Sequence, residues 1–297
     1  MLTRKTLRGV IPAIVTPFTA QDEVDEAALG AITEFVIRNG AHAIMTTGGT
    51  GEFPHLSREE RAVVTRTVVQ ASAGRIPVIA GTAACSTRET LQLTEDAARA
   101  GAHGAIVVSP FYFHLPESAL YGHFAHLATA ASLPIVLYNN PLYTGNHLSA
   151  ELTVELAQLP GIIGLKQSDA DMGKLVEIKR RVGDSIAVCT GIDSQFYPAL
   201  CVGGVGIFST AATVVPRQMV DIWDAFQNGD HAGALAMHMK VQVLNRFLEY
   251  DPGYVAPCKE ALRLLGLPGG PVRAPLPELS ADEKAGIADA LRQMGLL

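Results

Sequence analysis

The feature that most limits the fold is an eightfold alternation. Short apolar runs stand at 9–16, 42–47, 77–81, 104–109, 134–138, 162–166, 186–190 and 205–209. Each has the length and side-chain character of a buried strand. Between most of them lie stretches of helical periodicity, at 25–39, 58–73, 88–100 and 119–131. Ser57-Arg58-Glu59-Glu60 puts a carboxylate three positions after a capping hydroxyl, as a helix start requires. Strands that alternate with helices lie parallel, with the helices covering the sheet. Eight evenly spaced units favour an α/β fold closed into a parallel (β/α)8 (TIM) barrel over a doubly wound open sheet.

After residue 209 the pattern is helical only, at 217–228, 231–249, 257–265 and 281–294. The turn-rich segment Leu267-Pro268-Gly269-Gly270-Pro271, with Pro275 and Pro277, separates the last two. The expected organisation is a barrel over 1–225 and a C-terminal helical appendage over 226–297, with no internal repeat or flexible linker. Hydrophobic residues make up 48% of the 297 and charged ones only 18%, enough to bury a large core. A formal net charge of -6 leaves no basic footprint, which argues against nucleic acid as a partner. No apolar run approaches the roughly 20 residues that span a bilayer. The basic start at Met1 to Arg8 is followed by no uninterrupted apolar stretch. A cytoplasmic, soluble protein with no membrane partner is expected.

Cys85, Cys189, Cys201 and Cys258 lie far apart and form no paired motif, so they read as buried reduced thiols. His123-x-x-His126, with His114 upstream, lacks a nearby carboxylate to complete a metal set. Neither a metal nor a cofactor is expected.

In such barrels the active site forms at the carboxyl ends of the strands, and unusual residues collect there. Lys166 is the one lysine of seven that ends an apolar run. An ammonium partly removed from water loses its proton more readily, and the free amine attacks ketones. The plainer reading is a lysine that leaves the strand and reaches solvent. Tyr138 ends the fifth run and Tyr112 lies just past the fourth; either alone would read as packing. The second runs into Thr47-Gly48-Gly49-Thr50-Gly51-Glu52, where glycines let successive amides face one anion and Thr50 adds a hydroxyl. Gly203-Gly204-Val205-Gly206 precedes the eighth strand rather than following it, so it reads as structural.

With these residues in place, the chain resembles the dihydrodipicolinate synthase and N-acetylneuraminate lyase family of Schiff-base lyases almost end to end. The carrying motifs are Gly9-Val10-Ile11-Pro12-Ala13-Ile14-Val15-Thr16-Pro17-Phe18, Gly48 to Glu52 with Leu56-Ser57, Tyr138-Asn139-x-Pro141-x-x-Thr144-Gly145, Gly164-x-Lys166 and Gly191-Ile192-Asp193. The resemblance implies that Lys166 forms an imine with pyruvate or a larger 2-keto acid and that Tyr138 shuttles protons. It implies that Gly49, Thr50 and Gly51 hold the acid's carboxylate, and that Gly191 and the Phe208 carbonyl border the pocket. Tyr112 matches the position at which a neighbouring subunit reaches into the site, which implies a dimer at least and, as is usual in the family, a homotetramer. Tyr143, Asn140 and His114 are expected to line the far end of the substrate.

Two departures stand out against family members that make dihydrodipicolinate. Those carry threonine where this chain has Gly49, its hydroxyl linking the two tyrosines; here the relay lacks that side chain, leaving a gap with room for a water. They also carry arginine where this chain has Tyr143, and tyrosine makes no bidentate ion pair with a carboxylate. Gly48 to Phe53 and Gly270 to Leu276 look more like the branch that acts on keto-deoxy sugar acids. The expected function is therefore aldol cleavage or dehydration of a 2-keto-3-deoxy acid. The alternatives are 4-hydroxy-tetrahydrodipicolinate synthesis from pyruvate and aspartate semialdehyde, a catalytically silent keto-acid-binding barrel, and a metal-dependent aldolase.

Overall fold

The structure, a computed structural model, describes residues 2–249 and 253–297. Eight strands follow one another as β1 (Gly9–Pro12), β2 (Ile44–Thr46), β3 (Val78–Gly81), β4 (Gly104–Val108), β5 (Ile135–Asn139), β6 (Ile162–Gln167), β7 (Ala187–Thr190) and β8 (Gly206–Ser209). All of their residues are buried except Ile163. That is why the sequence shows unbroken apolar runs here: a sheet covered on both faces has no polar side to alternate with. Each strand pairs parallel with its neighbours in the order β1-β8-β7-β6-β5-β4-β3-β2. At the seam between β1 and β2, an Ala13–Met45 bridge and the Ile14 amide, which donates to the Met45 carbonyl at 3.0 Å, bring the sheet round on itself. The result is a nearly closed (β/α)8 barrel. At Gly206 an added Cβ would lie 2.4 Å from the Gly9 carbonyl oxygen. Gly206, the first residue of β8, thus serves close strand packing.

The helices begin where short polar side chains cap them. Ser57 completes a reciprocal capping box with Glu60, and Asp25, Ser86, Ser149 and Asp171 each accept an amide hydrogen bond at other helix starts. Ala150–Leu156 and Met172–Val182 are helices outside the stretches read from the sequence. The first is too short to show a repeat. The second carries the signal in Leu175, Ile178 and Val182, all buried.

The C-terminal helices Pro216–Gln227, His231–Leu248, Val255–Leu264 and Ala281–Gln293 pack on the β8–β1–β2 side. Trp223, Leu244, Leu262 and Leu291 share one apolar cluster with Val10, Ile44 and Ile207 of the strands. Pro216–Gln227 carries the chain past residue 225 without a break. Among the described residues, no helix is long and apolar enough to cross a membrane. The thiols divide in two: Cys189 and Cys258 are buried, and burial pushes both up to about 12. Cys85 and Cys201 are exposed, against expectation, because one sits in the loop after β3 and the other ends the helix Phe196–Cys201.

Candidate active site

Parallel pairing sets Lys166 of β6 beside Tyr138 of β5 in register. Lys166 is only 6% exposed, and its Nζ lies 4.2 Å from the centroid of the Tyr138 ring. The amine stays inside the barrel mouth and does not run out to solvent. Gly191, after β7, makes room for it: a Cβ there would lie 2.4 Å from Lys166 Cε and 2.1 Å from Ser168 Oγ. The Tyr138 phenol is buried, which raises its pKa. The positive charge of Lys166 and the hydrogen bond from Asn140 outweigh that burial and bring it below its ordinary value. Asn140 Nδ2 donates to the phenol oxygen at 3.0 Å.

A cavity of about 730 Å³ opens over these groups. Seven of the eleven residues expected at the site line it: Gly49, Thr50, Tyr138, Asn140, Tyr143, Lys166 and Gly191. Gly51 does not, because it lies under the turn with its carbonyl accepting from Thr16 Oγ1 at 2.7 Å. Phe208 is buried below the cavity, its ring 5.9 Å from Lys166 Nζ. Tyr112 is 85% exposed and outside the cavity of its own chain, held at φ 81°. His114 also falls outside; its ring bonds the Gly145 carbonyl at 3.0 Å.

In the turn after β2, the Glu52 and Phe53 amides donate back to Gly49 and Gly48. The Thr50 and Gly51 amides have no acceptor among the described residues, which keeps them available to an anion. Thr50 Oγ1 also bonds Thr210 Oγ1 at 3.1 Å. Glu52 faces the other way. Its fully buried carboxylate meets Lys259 Nζ at 2.5 Å and accepts the Arg273 amide at 2.9 Å, so it anchors the turn to the C-terminal region.

Three residues carry more of the site than their sequence context suggests. Tyr254 is half-buried, and its hydroxyl stands where a side chain at position 49 would go: an added Cβ on Gly49 would lie 2.5 Å from it. The gap left by the missing side chain is thus taken by the Tyr254 hydroxyl. Asp193, buried after β7, accepts from the Ser209 hydroxyl and from the Thr210 and Ala211 amides, at 3.2 and 3.1 Å. Burial nevertheless raises its pKa. Glu249 accepts the Ser194 amide, and burial together with the charge of Asp193 pushes it up to about 7. Asp193 was legible as part of a motif. Glu249 directly follows the helix His231–Leu248 and Tyr254 directly precedes the helix Val255–Leu264, with no local signal in the sequence.

His123 and His126 lie on the helix Glu117–Ala130, outside the cavity. His123 bonds Thr87 Oγ1 at 2.9 Å, and burial pushes it down to about 4. Among the described residues, no three His, Cys, Asp or Glu side chains gather as metal ligands would.

Residues 6–294 match the model of the dihydrodipicolinate synthetase family. The chain belongs to that family. It is an enzyme of the lyase class, as the names of its relatives and their family indicate. It is 40% identical to the 4-hydroxy-tetrahydrodipicolinate synthase of Methanoculleus marisnigri, over 91% of this chain and 94% of that one. It is 39% identical to the synthase of Pseudomonas putida, over 98% and 99%. Among solved structures, dihydrodipicolinate synthase from Aquifex aeolicus superposes with a TM-score of 0.94 at 36% identity, covering 98% of this chain and 99% of that one. YagE, a prophage protein of the same family from E. coli K12 solved in complex with pyruvate, superposes equally well, TM-score 0.94, at 31% identity over 98% and 99%. Dihydrodipicolinate synthetase family membership thus extends over nearly the whole chain, barrel and C-terminal helices together.

Proposed function

We propose that the protein binds pyruvate, or the pyruvoyl end of a 2-keto acid, as a Schiff base on Lys166. The observation that carries this is the buried Lys166 amine 4.2 Å from the Tyr138 ring, beneath a cavity with the Thr50 turn on its wall. The amine adds to the C2 ketone, and the carbinolamine loses water to give a protonated imine. That imine is an electron sink: C3 gives up a proton to Tyr138, the C3–H pair becomes the C2=C3 bond, the C=N pair returns to nitrogen, and the enamine forms. The Thr50 hydroxyl and the amides of the turn hold the acid's carboxylate.

For the second step, the names of the relatives favour condensation with aspartate semialdehyde, giving 4-hydroxy-tetrahydrodipicolinate, over the keto-deoxy acid reading. The enamine carbon attacks the aldehyde, whose oxygen takes a proton, and attack of the substrate's amine on the imine carbon frees Lys166. A second reading is kept by one observation. Among the described residues, no Lys or Arg but Lys166 lines the cavity, whose lining includes Tyr143, Asp193 and Glu249. Such a wall suits neutral hydroxyls better than a second carboxylate, as in cleavage or dehydration of a 2-keto-3-deoxy acid. A panel assay decides between them. Pyruvate with aspartate semialdehyde turning over best supports the synthase; pyruvate release or water loss from a 2-keto-3-deoxy acid at higher kcat/KM supports the second reading. Tyr112 is proposed to serve the site of a partner subunit in a homotetramer.

A further inference from the structure

The backbone of Gly49 does not lie in the left-handed region, so its conformation does not call for glycine. Space does. A Cβ would lie 2.5 Å from the Tyr254 hydroxyl oxygen but 3.9 Å from the ring carbon that bears it. The first distance is a collision and the second an ordinary contact, so a single oxygen atom keeps residue 49 bare. That oxygen belongs to a half-buried tyrosine, its ring centroid 6.4 Å from that of Tyr143, and lies within hydrogen-bonding reach of Thr50. It also stands on the wall shared by the main cavity and an adjoining apolar pocket of about 280 Å³; Gly49, Tyr138 and Asn140 line both.

We propose that Tyr254 is a positioning residue of this site: its hydroxyl occupies the place of a side chain at position 49 and links Thr50 to Tyr138, holding the Tyr138 phenol towards the acid bound on Lys166. The inference rests on the Schiff-base reading above. Tyr138 and Tyr254, which line the same cavity, have opposite tendencies. Tyr138 is drawn below its ordinary value, whereas burial, with the phenols of Tyr138 and Tyr143, raises Tyr254 well above it. Environments that push a pair of titratable groups apart divide the roles between them. Tyr254 stays protonated and donates; Tyr138 takes and returns the proton. The other titratable groups around Tyr138 are Lys166 on β6 and Tyr143 after β5, with Asp193 and Glu249 beyond Lys166.

The test needs pyruvate alone. The full-length protein is compared with Tyr254→Phe, Gly49→Ala, and the doubles Gly49→Ala/Tyr254→Phe and Gly49→Ser/Tyr254→Phe. Methyl proton exchange of pyruvate in heavy water gives kcat, KM and a pH profile, and borohydride trapping reports the adduct separately. Tyr254→Phe is expected to keep the adduct and its KM while kcat for exchange falls roughly tenfold to a hundredfold, as for one lost hydrogen bond to a charged group. Its rising pH limb moves to higher pH, because a donor to the phenolate is gone. Gly49→Ala alone is expected to lower kcat by displacing the Tyr254 hydroxyl, yet to change nothing further once that hydroxyl is absent. Gly49→Ser in the Tyr254→Phe background returns a hydroxyl to the same place and recovers part of the rate. Native kcat and pH profile in Tyr254→Phe, or a serine double no faster than the alanine double, would overturn the inference. Should the native protein trap no adduct, the Schiff-base reading itself fails, and the two failures are told apart by that control. If Tyr254→Phe does not fold, Gly49→Ala decides alone: native exchange in that variant counts against the inference.

Discussion

At the scale of single residues, Gly191 determines where Lys166 can lie. Any side chain there meets the lysine's own stem at 2.4 Å, and the stem must yield because the opposing Ser168 is as close. Gly191→Ala is expected to leave the fold intact and slow pyruvate exchange on the order of a hundredfold, the penalty for misplacing a reacting group by about an ångström; circular dichroism and exchange kinetics check both halves. Asn140 acts on the partner group. Its amide donates to the Tyr138 oxygen at 3.0 Å and helps hold the phenol's pKa down. Asn140→Leu removes a bond to the ionised form, so the phenolate appears only at higher pH. The rising limb of exchange rate against pH should shift upward; a shift downward, or none, would count against a phenolate at this step. Both residues were legible as members of motifs. Tyr254 was not, since 205 positions separate it from Gly49 (254 minus 49) and no periodicity links them. The signal lay in the glycine itself: a missing side chain in a close-packed interior implies that something else fills its place.

At the scale of elements, the turn after β2 is fixed from behind. Glu52 and Lys259 meet at 2.5 Å with side chains 0% and 3% exposed, and Lys259 Nζ also donates to the Pro271 carbonyl at 2.6 Å. Burial lowers the Lys259 pKa, opposed by the carboxylate beside it. Removing one partner of such a pair leaves the other charged, dry and unmatched, at about 3–5 kcal/mol, whereas replacing both is far milder. Glu52→Gln and Lys259→Met should each destabilise the protein by that order in urea unfolding, and the double variant by less than either. Equal or additive losses would mean the two do not act as a pair. Glu52 belonged to the motif from which a carboxylate-binding turn was read, but its orientation was beyond the sequence. Its backbone at φ 57° turns the side chain towards the helix Val255–Leu264. Strand positions, by contrast, were readable to within a few residues, because both faces of each strand are buried and the apolar runs end where the barrel ends.

At the scale of the whole molecule, the C-terminal helices share the barrel's apolar core on the β8–β1–β2 side and return Tyr254, Lys259 and Arg273 to the turn that carries Thr50. That return depends on long-range packing, which is why it was not visible in local patterns. Tyr112 and Phe113 remain 85% and 70% exposed. If Tyr112 completes a partner's site, coexpressing Lys166→Ala and Tyr112→Ala subunits should restore activity that neither has alone. For a two-fold dimer mixed at random, one intact site forms in half the dimers, about a quarter of native activity. No recovery in coexpressed, co-purified subunits would place Tyr112 outside the chemistry.

The proposed chemistry stands on one covalent bond. Incubating the protein with pyruvate, reducing with borohydride and mapping the product by mass spectrometry should show a single reduced pyruvoyl adduct on Lys166. An unmodified protein, or an adduct on any of the other six lysines, would refute the Schiff-base reading.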